Sequence, residues 1–268
     1  MTSLALKLTL APLLIAVASL AGRRWGPAIS GWLIGLPLTS GPIIFLLALA
    51  HGSSFAATAA TGTLAGTLSE CAFCLAYGWL AARGWLWAIL GGCVAFFAGA
   101  LVLQGLTLPL APLCGVVLVA LVATLWLMPN SHATDHASPQ AQPAGATPPW
   151  WDLPLRMALA TCFVALLTSV APALGPRLTG LLAPFPVYAT ILVMFAHREQ
   201  GPAAAARVLH GLLLGLFSFA AFFVVLAALL GWLGVAPAFL CATLAALTAQ
   251  GCSLWLMRRR SAQAVALR

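Results

Sequence analysis

Of 268 residues, 63% are hydrophobic and 6% charged, and the mean hydropathy is +1.06. Soluble domains carry about a quarter of charged side chains, so lipid is the expected solvent for most of this chain. Continuous apolar runs of helical length exclude a membrane β-barrel, whose strands alternate over about 10 residues. The formal charge of +8 comes from basic residues at the ends of apolar runs. That is a topology signal, and it excludes a nucleic-acid surface, where basic residues form a stripe with interleaved aromatics.

In chain order, apolar runs bounded by Gly, Pro and charge fall at 4–22, 28–50, 55–82, 84–106, 108–128, 153–173, 177–196, 204–230 and 236–257. Each approaches the roughly 20 residues needed to cross a bilayer as a helix, which predicts an all-α polytopic protein of about nine spans. The first run resembles a signal peptide with a small-residue site at Ser19-Leu20-Ala21, but Arg23-Arg24 follows it instead of preceding it, and retention is expected. Residues 129–152 form a Pro/Ala/Ser/Gln tract unable to bury apolar area, read as a flexible cytoplasmic linker. Its His132, Asp135 and His136 are read as solvated linker in preference to a metal site. The seven cysteines lie within apolar runs as small hydrophobes, Cys71-Ala72-Phe73-Cys74 included, and no metal or cofactor is expected.

With the C-terminal Arg258, Arg259, Arg260 and Arg268 in the cytoplasm, nine spans place Arg23, Arg24, Arg83, Arg156, Arg198 and Arg207 on that side too. Lys7 and Arg177 then fall outside, and the amino terminus is expected outside.

The chain overlays itself at an offset of about 149 residues. Gly26-Pro27 falls on Gly175-Pro176, Gly31 on Gly180, Pro37 on Pro186, and Gly52 on Gly201. In the next helix Gly62, Gly66, Ser69 and Phe73 fall on Gly211, Gly215, Ser218 and Phe222. Residues 1–106 are therefore membrane repeat 1, 107–128 an unpaired connecting helix, 153–257 repeat 2 and 258–268 a basic cytoplasmic tail. A displacement of five spans inverts the second copy, an arrangement common among secondary transporters.

Leu155-Arg156, the run Thr179-Gly180-Leu181-Leu182-Ala183-Pro184-Phe185-Pro186 and Ala196-His197 resemble the GlpM family of small bacterial inner-membrane proteins. The resemblance covers about the last 110 residues and implies a four-helix unit in the inner membrane, without a substrate. The first copy departs from it, with Gly35-Leu36-Pro37 in place of Pro184-Phe185-Pro186 and no equivalent histidine.

Helix breakers occupy the second helix of each copy, Gly35-Leu36-Pro37-Leu38-Thr39-Ser40-Gly41-Pro42 and Pro184 to Thr190. Proline removes a backbone donor and frees a carbonyl, and paired interruptions in two halves point to a binding site between them. Pro37, Thr39, Ser40, Pro186, Tyr188 and Thr190 are the candidates there; the alternative is a kink whose hydroxyls bond their own turns. Glu70 is the only acid well inside a span, one turn beyond Gly66. A carboxylate in lipid is costly unless paired or protonated, and so reads as a proton- or cation-coupling group, or else as a neutral acid bonding a neighbouring helix. His210 completes the candidate site, with polar packing as its alternative. Gly62, Gly66, Gly211 and Gly215 read as a helix-packing stripe. Lys7 and Arg156 are expected to snorkel, and Gln104 and Gln250 to bond across helices.

No nucleophile with its base and no phosphate loop assembles from these residues, so an enzyme is not expected. Two functions fit: a secondary transporter of a small solute or ion, proton-coupled or not, and a non-transporting scaffold or accessory of an envelope or lipid pathway. The partners implied are the lipid bilayer and a small substrate, with no nucleic acid. Oligomeric state is not encoded legibly.

Overall fold

The computed structural model describes residues 32–33, 35–129 and 152–266. The expected 4–22 span, Lys7, Arg23, Arg24, the linker from residue 130 to 151 and the side chains of Arg156 and the basic tail lie outside the described residues. Among those described the secondary structure is helical, with no strand. The helices are α1 (Ser40–His51), α2 (Ser53–Leu80), α3 (Trp85–Gln104), α4 (Leu110–Leu127), α5 (Asp152–Leu182), α6 (Val187–Gln200), α7 (Pro202–Leu233) and α8 (Val235–Ala266), with a 3-10 turn at Ala81–Arg83. Helix α8 carries on through the arginine cluster expected to be a tail.

Six of these helices are long and apolar enough to cross a membrane, and the protein is accordingly a polytopic helical membrane protein. The runs expected at 28–50 and 177–196 are not single helices. Gly175, at φ 75°, ψ 168°, interrupts α5, and Pro176 opens its final piece, a position where a missing N–H costs nothing. Residues 183–186 are turn and extended chain before α6, and residues 35–39 are turns before α1. The 12 residues of α1 and the 14 of α6 extend only about 18–21 Å at 1.5 Å per residue, short of a hydrocarbon core of about 30 Å.

The long helices α2 and α7 form the centre. Over their most apolar stretch 56% of each is buried, against 22% for α3, α4 and α8. Thr58 and Thr61 of α2 share a cavity with Ala227 of α7, whereas Glu70 lines another with Leu216 and Phe219, so the two helices run antiparallel. Each begins after a positive-φ glycine, Gly52 (φ 87°) or Gly201 (φ 85°), and each ends at another, Gly84 (φ 109°) or Gly234 (φ 79°), the former beyond the 3-10 turn. These are left-handed conformations that L side chains rarely adopt.

Lipid removes the hydrophobic drive between helices, leaving close van der Waals packing to hold them. Glycine supplies it. A Cβ on Gly66 would stand 2.5 Å from Pro184 Cγ and 2.7 Å from the Leu181 carbonyl; one on Gly215 would strike the backbone of Gly35 and the Trp32 carbonyl. Each central helix thus seats its glycine against the break of the other half. The outer helices repeat a four-residue stripe, Ala88, Gly92, Phe96 and Ala100 on α3 and Ala238, Ala242, Ala246 and Gln250 on α8. That correspondence is 150 residues, one more than the offset within α2 and α7. Trp79, Trp87, Trp126 and Trp232 are exposed near helix ends, as interfacial tryptophans are.

Candidate functional site

The two chain breaks and the two central helices meet around a cavity of about 30 Å³. Its wall comprises Leu36, Thr39 and Ser40 from the first break, Pro184 through Ala189 from the second, Glu70 from α2, and Leu216 and Phe219 from α7. The volume accommodates about one water. Five of the sequence candidates come together here: Glu70, Thr39, Ser40, Pro186 and Tyr188.

Glu70 is 4% exposed, and its Oε2 has no hydrogen-bond partner among the described residues. A buried acid oxygen without a donor is costly, and such groups in native proteins call for an explanation, a missing water or ion among them. Ser40 Oγ donates to the Ala183 carbonyl over 2.9 Å, tying the first break to the second. That carbonyl lies in the turn where α5 has ended, so the hydroxyl supplies a bond the helix no longer provides.

Three candidates stand apart. Pro37 does not line the cavity; its carbonyl accepts from the Gly41 N–H and so starts α1. Thr190 Oγ1 donates to the Pro186 carbonyl at 2.7 Å, the self-bonding alternative. His210 Nδ1 lies 3.3 Å from the Ala206 carbonyl on its own helix, half-buried and away from the cavity. Gly62 packs against Arg177 and Gly180, and Gly211 is buried in α7.

Two polar contacts were not among the candidates. Tyr77 Oη and His197 Nδ1, both buried, lie 3.2 Å apart and join the ends of α2 and α6. Arg198, the next residue, sits 5.1 Å over the Trp85 ring, which brings it to the same end of the bundle as Arg83. On α8, Gln250 donates to the Trp32 carbonyl over 3.0 Å and accepts from the Ser218 hydroxyl; Gln104 is exposed. Ser69, at the position in α2 that Ser218 holds in α7, is buried with no partner for its Oγ among the described residues.

At the opposite end, Arg177 Nη2 donates to the carbonyls of Leu103, at 2.9 Å, and Leu106, beyond the last turn of α3. It borders a larger cavity of about 420 Å³. Among the described residues no cluster of three His, Cys, Asp or Glu is placed to hold a metal. No known protein family, curated protein or solved structure matches the chain.

Proposed function

We propose that the protein is a secondary transporter of the bacterial cytoplasmic membrane, moving a small solute or ion by alternating access of two inverted halves. The observation that carries this reading is Glu70, which lines a water-sized cavity between two interrupted helices and whose Oε2 has no partner among the described residues. Broken helices from two halves, meeting near the middle of a bundle, are how transporters place polar backbone and side-chain groups at a substrate site. One acid in so small a space favours a proton or small cation over a large solute, with the Thr39 and Ser40 oxygens as further ligands.

The antiparallel course of α2 and α7 and the reciprocal seating of Gly66 and Gly215 support inversion of the copies. Arg83 and Arg198 at one end and Arg177 at the other support a cytoplasmic face at the former, the carboxy terminus inside and the amino terminus outside. Nine spans and kinship of the second copy with the GlpM family belong to the same proposal.

The second reading, a non-transporting scaffold, draws on the tightness of the glycine contacts, which seat α2 and α7 directly against backbone and proline of other segments. Side-selective labelling separates the two. In a chain whose seven cysteines are replaced, Thr39→Cys in a transporter reacts with an impermeant thiol reagent from either face of oriented vesicles. A scaffold protects it from both.

A further inference from the structure

The 420 Å³ cavity lies between α2, α4, the final piece of α5 and the chain joining α3 to α4. Its wall is apolar except for Arg177, Thr58 and Thr61. Both threonines donate into their own helix, Thr58 to the Ser54 carbonyl at 3.2 Å and Thr61 to the Ala57 carbonyl at 3.0 Å. They therefore offer lone pairs and no proton. Among the described residues Arg177 is left as the one cation and the one charged donor of the wall; Nη2 is used on the Leu103 carbonyl in the last turn of α3 and the Leu106 carbonyl beyond it, and Nε has no partner. No acid lines the cavity.

A guanidinium in a low-dielectric wall without a carboxylate beside it is matched by an anion, and its remaining donors suit phosphate. The rest of the site is matched by hydrocarbon. Leu106, Leu108 and Val116 are 55%, 43% and 44% exposed, so the wall runs into the outer surface of α4, where Val119 is 70% exposed. In a membrane that surface meets acyl chains, and Arg177 lies near an end of the bundle, where headgroups are. Charge complementarity and this continuity select one occupant.

We propose that this cavity binds one anionic bilayer phospholipid, its phosphate on Arg177 and an acyl chain along Leu108, Val116 and Leu181. The site is separate from the Glu70 cavity and does not depend on transport.

The test uses the full chain, purified in micelles containing equal phosphatidylglycerol and phosphatidylcholine, with retained lipid measured by mass spectrometry. Phosphatidylglycerol is expected at about tenfold excess over phosphatidylcholine, whose phosphate bears the same charge but whose choline cation repels the Arg177 guanidinium and cancels the net attraction. Arg177→Gln should abolish the preference. Because that change also uncaps two carbonyls, Val116→Trp is the second variant: it fills the groove and leaves Arg177 on its carbonyls, and it too should lose phosphatidylglycerol. Equal retention of the two lipids by the wild type, or an undiminished preference in Val116→Trp, overturns the proposal. So does displacement of the lipid by inorganic phosphate alone, which would make the site one for a free anion.

Discussion

The two central helices are built alike and equipped differently. Both α2 and α7 start after a left-handed glycine, bury the same share of their most apolar stretch and press a glycine onto the opposite half. Yet α2 carries Glu70 where α7, at the matching offset, carries Phe219, and both side chains line the same small cavity. Among the described residues Ser69 has no partner, whereas Ser218 bonds both Gln250 and the Gly215 carbonyl. Packing is alike on both sides, while the acid lies on one. In the transporter proposed above, a site that must ionise needs a single acid more than it needs symmetry, since a second carboxylate within a few ångströms would be repelled in so dry a place.

The largest expected effect is on packing. Gly215→Ala places a methyl group into the backbone of Gly35 and Trp32 and should cost about 3 kcal/mol in denaturant unfolding of the purified protein. Gly66→Ala meets a proline ring and one carbonyl and should cost about 1–3 kcal/mol. Tolerance of both without loss would dissolve the likeness between the helices.

The serine pair sharpens the contrast. Gln250→Leu strands the Trp32 carbonyl and leaves the Ser218 hydroxyl only its bond to the Gly215 carbonyl, and about 1–2 kcal/mol of stability should go with it. Ser69→Ala removes a hydroxyl that has no partner, so its effect should stay within about 0.5 kcal/mol or be stabilising. Thermal unfolding of the two variants side by side checks the ordering. Equal losses would mean that Ser69 is bonded after all.

The sequence carried the helical class plainly because runs of apolar residues need no tertiary information to be read. Pro37 and Pro186 also announced that two helices would break, since the missing N–H is a local property. Where the breaks open was less legible. Residues 183–186 divide the run read at 177–196 into pieces, whereas Gly175 falls between two runs already read as separate, and neither apolarity nor length distinguishes a half-helix from a whole one. Gathering Glu70 with Thr39, Ser40 and Tyr188 followed from placing the helix breaks in two halves opposite one another. His197 and Tyr77 escaped because they are 120 residues apart and meet only across α2 and α6. His210 looked similar in sequence, yet its ring turns to its own helix.

The central claim, that Glu70 takes up and releases an ion, is tested by flux in proteoliposomes. A pH-sensitive dye trapped inside reports proton movement when sodium or potassium is added outside, for wild type and Glu70→Gln reconstituted in equal amounts. The isosteric amide keeps the fold, because Oε2 has no partner to lose, but it cannot ionise. The account predicts cation-driven proton flux in the wild type and a fall to the protein-free rate in Glu70→Gln. The same flux in both proteins, or none in either, would contradict it.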